Sequence, residues 1–365
     1  MPGGGYVVRS RVLSRRALGL VIALVAGSVL LIAPAAERPT SSDPVPLAVA
    51  WPGAQRGTVP ADLADGAAYN PGVFLDARTS VGTAQTPDGR FLRLLERRPN
   101  GSVRELRRLP ARQNPSFPAM TLDGDLLVWA ESVGDGAARL CAVNLRDGRP
   151  LRQLTADTGV ARFYQRQYDL VVADGRVHWV AERPGDMTEV RSVPLGGGPV
   201  RVTAEAGTWQ LSAWPWLVDG VTAAAGSTAL KNLVTGARVA VSPTRRAVTN
   251  CSPAWCRVVS LDSDGFTRIE VMHPGGDARR RIAGGDVETL LSDVALLDRF
   301  EVYAKIGATA ELTGNAEVLL YEMARQRTVQ VSPDANGVTY RGGVLWWSTG
   351  TQDSFVRHTV DLRSI

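Results

Sequence analysis

The sequence predicts an all-β fold built as a β-propeller, and three observations carry that reading. Asp-Gly pairs stand between apolar runs at Asp88-Gly89, Asp123-Gly124, Asp147-Gly148, Asp174-Gly175, Asp219-Gly220 and Asp264-Gly265. Such a pair is a strong hairpin-turn signal. Short strand-like runs recur, among them Leu126-Leu127-Val128-Trp129, Arg176-Val177-His178-Trp179-Val180 and Val344-Leu345-Trp346-Trp347. A longer period overlies both: units end at Leu109-Pro110, Leu154-Thr155, Val202-Thr203, Val241-Ser242, Ile282-Ala283 and Val331-Ser332, in steps of 45, 48, 39, 41 and 49 residues. Each step has room for about four strands. A four-stranded sheet cannot bury both faces alone, and radial stacking buries both while leaving only short edges.

The first segment is different in kind. Residues 1–16 carry Arg9, Arg11, Arg15 and Arg16 and no acid, and residues 17–36 form an uncharged run, ALGLVIALVAGSVLLIAPAA. About 20 apolar residues span a bilayer core, and a positive flank orients such a span with its N-terminus inside. The run predicts a single-pass anchor with residues 40–365 outside the cytoplasm. The alternative is a cleaved signal with Ala33-Pro34-Ala35 at the cut, which would release the protein as a secreted one. Mean hydropathy over all 365 residues is −0.05, too low for a multi-pass membrane protein.

The same division explains the charge. The chain has 41 Lys and Arg against 36 Asp and Glu, a net of +5. Setting aside the four N-terminal arginines leaves 37 bases against 36 acids, so the exported part is nearly neutral. Electrostatic attraction to nucleic acid is therefore excluded as a partner argument. The arginine clusters around Arg104 to Arg108 and Arg279 to Arg281 are expected as solvated strand edges.

Residues 37–66 hold five prolines and read as a semi-extended tether, with short strands at Leu47 to Trp51 and Gly57 to Leu63. The propeller domain spans 67–365. Its units fall at 68–110, 111–155, 156–203, 204–242, 243–283 and 284–332, followed by a shorter tail with strands at Val338 to Ser348 and Phe355 to Leu362. Strands from residues 45–66 complete that tail, giving seven blades; six is the alternative.

The units resemble TolB-type propeller repeats. The resemblance rests on Thr121 to Glu131 (TLDGDLLVWAE) followed by Leu140 to Thr155 (LCAVNLRDGRPLRQLT), on Thr86-Pro87-Asp88-Gly89, and on Ser332-Pro333-Asp334. In that family a Ser-Pro-Asp-Gly turn opens a strand and a Leu-Thr-like pair ends the blade. The resemblance covers about residues 70–365 and implies an extracytoplasmic interaction platform.

Chemistry is sparse. The three histidines, His178, His273 and His358, fall in different units, and His178 is expected as a packed strand residue. There is no zinc-spaced Cys/His cluster and no Gly-x-Ser-x-Gly elbow. Asp262-Ser263-Asp264-Gly265 lacks the terminal Glu of a calcium loop and reads as a turn. No metal or cofactor is expected. Cys251 and Cys256 are expected to form a disulfide in an oxidising compartment, with Cys141 a small core residue. Aromatic residues recur between units and are expected mostly as inter-blade packing. A funnel mouth lined by Tyr164, Gln167, Tyr168, Trp209 and Arg299 is the candidate binding site. The expected function is a non-enzymatic, membrane-anchored binding or scaffold module for a protein or cell-envelope glycan. A propeller-based glycosidase or lyase with carboxylates at the channel mouth is the alternative.

Overall fold

The computed structural model describes residues 43–220, 223–308, 310–351 and 354–365. The predicted anchor at 17–36 lies outside the described residues. Among the described residues no helix is long and apolar enough to cross a membrane.

Those residues form seven units of four antiparallel strands, to which Val45–Pro46 adds a short parallel strand on the edge of blade 6. Blades 1 to 6 occupy 70–110, 115–155, 160–206, 209–240, 247–285 and 287–335. The strand Arg327–Arg341 is shared, its first part ending blade 6 and its last part opening blade 7. Blade 7 adds Val344–Gly350 and Phe355–Asp361, then takes its outer strand, Arg56–Pro60, from the start of the domain. Seven blades, closed by N-terminal residues, is the arrangement the repeat spacing predicts; the six-blade alternative is excluded.

Packing proves the ring. Seven apolar clusters lie between blades, and each draws mainly on two neighbours. Between blades 1 and 2, Val73 and Leu94 meet Met120, Leu127 and Trp129. The last cluster joins blade 7 to blade 1: Val59, Val344 and Trp346 meet Tyr69, Phe74 and Leu95. Each sheet thus removes both apolar faces from water, which is the dominant favourable term in such a fold. Trp129, Trp179, Trp346 and Trp347 are buried in these seams, as inter-blade packing requires.

The turn chemistry largely follows the sequence. Asp174-Gly175 is a two-residue hairpin turn with φ of 50° and 69°, flanked by the Ala173 to Arg176 pair. Two positive φ values match the strand twist there, and Gly supplies one without a Cβ penalty. Four local expectations are corrected. Leu47–Ala50 is one helical turn, which lets Leu47 and Trp51 reach the cluster between blades 6 and 7. The strand expected to run to Leu63 ends at Pro60, an edge position that a proline suits. Asp219-Gly220 does not close a hairpin: Asp219 instead accepts from the Thr228 and Ala229 backbone N–H groups, across a longer connection. Ser332-Pro333-Asp334 lies within a continuous strand, where the chain crosses between blades.

The arginine clusters lie on or beside outer strands, with Arg108, Arg279 and Arg281 exposed as expected, but several of their members are paired rather than free. Arg107 forks onto buried Glu131 of the next blade at 2.7 and 2.9 Å. Arg104 pairs with Glu96 at 2.7 Å, and Arg279 with Glu270 at 2.6 Å. Arg257 of blade 5 and Glu301 of blade 6 form the most enclosed pair, at 2.7 Å with side chains 3% and 1% exposed. Glu301 also accepts the Ala295 backbone N–H at 2.8 Å. Removing one partner strands a buried charge, whereas replacing both with apolar groups does not. Glu301→Gln should lower unfolding free energy by about 3 kcal/mol in urea titration, and the double variant Arg257→Met/Glu301→Leu should regain most of that loss.

Candidate functional site

The first strand of blade 3 is split. Val160–Ala161 pairs with Glu182 and Ala181, and Val171–Ala173 pairs with His178 to Arg176. Between them, residues 162–170 leave the sheet. Phe163 and Leu170 hold the two ends in the cluster between blades 2 and 3. Gln165 takes a left-handed φ of 59°. Asp169 accepts the Arg166 backbone N–H at 3.0 Å and so fixes the turn.

From this segment the side chains reach across the ring. Arg166 donates to Gln210 Oε1 of blade 4 at 2.9 Å and to the Ser292 carbonyl of blade 6 at 3.2 Å. Arg341 of blade 7 donates to the Gln165 carbonyl at 2.8 Å. One segment touching blades 4, 6 and 7 from blade 3 must lie at the axis. Residues 162–170 therefore cross the central channel and are braced there from three sides.

The brace is charged. Arg166 and Arg341 both act on Asp169 and Asp293, and Arg257 adds to the field at Asp293. Burial dominates at both acids. It pushes the Asp169 carboxyl up to about 6, against hydrogen bonds from the Arg166 and Tyr164 backbone and the arginine charges. It raises Asp293 in the same direction against three arginines. Burial likewise holds the phenols of Tyr168 and Tyr340 above their ordinary range. Arg341 is 8% exposed, and its own charge is disfavoured by burial.

The predicted site residues divide into three places. Tyr164, 45% exposed, and the edge of Trp209 line a cleft of about 180 Å³ at the join of blades 3 and 4. The Arg162–Glu182 pair, 2.9 Å apart, also lines this cleft. Trp209 is otherwise core: it is 5% exposed, donates to the Ala206 carbonyl, and lies under Arg238. Gln167 and Tyr168 sit on the crossing segment, where Tyr168 feels the charges of Asp293 and Asp298. Arg299 is elsewhere, stacked on Phe300 and donating to the Ile365 carbonyl at 2.8 Å. Arg166, Asp169, Asp293 and Arg341 were not singled out by the sequence. Only Arg166 carried a local signal, lying between Tyr164 and Tyr168.

The other sequence features fall where their chemistry suggests. Cys251 and Cys256 are disulfide-bonded across the first hairpin of blade 5, and Cys141 is a buried free thiol. Asp262 accepts the backbone N–H groups of Asp264 and Phe266, so that stretch is a turn. Among the described residues no group of His, Cys, Asp or Glu is arranged to hold a metal ion. His178 is buried, its ring 3.8 Å from that of Trp214, and burial lowers its pKa to about 4.

No protein-family model and no curated protein sequence matches the chain. Solved structures do. A prolyl endopeptidase is 14% identical, with a TM-score of 0.50 over 96% of this chain and 53% of that one, so this chain spans about half of it. An uncharacterised protein of Listeria monocytogenes is 9% identical, with a TM-score of 0.50 over 76% and 88%. TolB from Acinetobacter baumannii is 11% identical, with a TM-score of 0.40 over 70% and 64%. Likeness at these identities bears on fold alone, and the fold is a β-propeller.

Two groups near the ring titrate in one window with opposite signs. Asp169 has a folded pKa of about 6 against 3.8 for a free aspartate, so acidification through that window favours the folded state. His178 has a folded pKa of about 4 against 6.5, so the same acidification favours unfolding. Asp169→Asn removes the first of these two effects and leaves the second. The melting temperature of that variant should fall more steeply than wild type between pH 6.5 and 4; parallel curves would contradict the raised carboxyl pKa.

Proposed function

We propose that the protein is a membrane-tethered, extracytoplasmic binding module that takes a protein partner at residues 162–170. The observation that carries this reading is Tyr164. It stands exposed on a segment braced by Arg166, Arg341 and Asp169, beside a cleft rimmed by the Arg162–Glu182 ion pair. A rigid loop presenting an aromatic side chain next to a charged rim is what an interface anchor requires, because little entropy is lost on docking. The Cys251–Cys256 bridge suits an oxidising compartment. The tether itself rests on the uncharged run at 17–36 and its four flanking arginines. A cell-envelope glycan is the second kind of partner that the aromatic cleft suits.

Two measurements test this. With a photo-crosslinking residue at position 162, the full-length chain should capture a defined envelope protein, and Tyr164→Ala should abolish capture without lowering the melting temperature. Equal capture by the Tyr164→Ala variant would refute the site. The full-length chain should also stay with carbonate-washed membranes; a shortened soluble species would mean that the N-terminal run is a cleaved signal.

One observation favours the enzymatic alternative, a glycosidase or lyase. Asp169 and Asp293 sit under the same two arginines, and a carboxyl titrating near 6 can supply a proton at neutral pH. Asp169, however, already accepts from its own loop. Asp293→Asn distinguishes the readings: it should leave partner capture intact, whereas an enzyme acting on acidic glycans would lose its turnover.

A further inference from the structure

We propose that the seam between blades 7 and 1 holds a binding site for a phosphate-bearing small molecule. A cleft of about 560 Å³ opens there, lined by Arg56, Arg78, Arg97 and His358 and by no carboxylate. The four come from separate places. Arg56 is on the closing strand Arg56–Pro60, and Arg78 is in the first turn of blade 1. Arg97 ends the strand Phe91–Arg97, and His358 is on Phe355–Asp361.

Arg97 is the decisive residue. It is 8% exposed, yet among the described residues its guanidinium makes no hydrogen bond and no ion pair. A largely enclosed cation without a counter-charge is unfavourable, and its guanidinium opens on the cleft, where an anion can reach it. The acids nearby are already committed. Glu96 points to the other side of the strand and pairs with Arg104 at 2.7 Å and Arg98 at 3.3 Å. Asp76, in the adjoining cleft, accepts the backbone N–H groups of Arg78 and Thr79 and the Thr79 hydroxyl. Tyr69, the polar group beside Arg97, shares its hydroxyl with Ser80 Oγ at 3.0 Å.

The other two arginines are also available. Arg56 has an exposed side chain with no partner among the described residues. Among the described residues the Arg78 side chain donates only one long bond, 3.4 Å, to the Arg56 carbonyl. Their nearness is built in. A Cβ on Gly57 would lie 2.3 Å from the Ala77 carbonyl, so only glycine lets the closing strand approach that turn. Thr359 pins the same carbonyl at 2.5 Å.

Three guanidinium groups around one cleft repel each other and call for a dianion. A phosphoryl group supplies two charges and several acceptor oxygens, which match guanidinium forks better than a single carboxylate does. The cleft exceeds the volume of one phosphate, so it has room for a sugar-sized remainder. This site is separate from the Tyr164 cleft, which belongs to blades 3 and 4.

The test is calorimetric titration of the full-length chain in detergent with inorganic phosphate and with ribose 5-phosphate, at constant ionic strength set with chloride. Both should bind, the sugar phosphate more tightly. Arg97→Gln should weaken binding about tenfold or more. Arg56→Gln/Arg78→Gln, at two exposed positions that leave the fold intact, should weaken it to a similar degree. Phosphate should raise the melting temperature of wild type and not of the double variant. No heat with either compound, or unchanged affinity in the double variant with a normal melting curve, would overturn the proposal.

Discussion

Everything in this molecule depends on closing the ring. Each blade is a sheet with two apolar faces, and each face is removed from water only by a neighbour. Six blades are made from consecutive strands. The seventh borrows Arg56–Pro60, and Val59 on that strand is fully buried against Tyr69 and Phe74. Without it, blade 7 lacks its outer strand and the cluster joining it to blade 1 lacks Val59. The helical turn Leu47–Ala50 and Trp51 add a second fastening, between blades 6 and 7.

Once the ring is closed, polar groups between blades have little access to water and must satisfy one another. That explains the arginine usage. Arg107 with Glu131 and Arg257 with Glu301 each link neighbouring blades. They set the contact between adjacent sheets where apolar packing alone is non-directional. At the axis the same chemistry takes another form. Blade 3 releases part of its innermost strand, and Arg166, Arg341, Asp169 and Asp293 face one another there.

Much of the fold was legible because its signals are local. The blade endings at Leu109 and Leu154, the Asp174-Gly175 turn and the Cys251–Cys256 bridge all depend on residues close in sequence. The errors share one cause. Ser332-Pro333-Asp334 has turn composition, but the pull of two blades keeps it extended. Leu47 to Trp51 alternates like a strand, yet it winds to deliver two apolar side chains to one seam. The candidate site was half legible. Tyr164 and Trp209 do share a cleft, whereas Arg299 is drawn off to Phe300 and Ile365. The axial charges were out of reach, because Arg341 meets Gln165 only through the ring, 176 positions away.

The closing strand also sets an order of events. Arg357 bonds the Pro60 carbonyl across 297 positions. Contacts so distant in sequence make closure slow relative to forming any single blade. Arg56–Pro60 emerges early and must wait, unpaired, for Phe355–Asp361 to be delivered. During that interval an exposed strand edge invites the wrong neighbour. An exposed arginine at 56 and a proline at 60 are the features that keep such an edge from pairing prematurely.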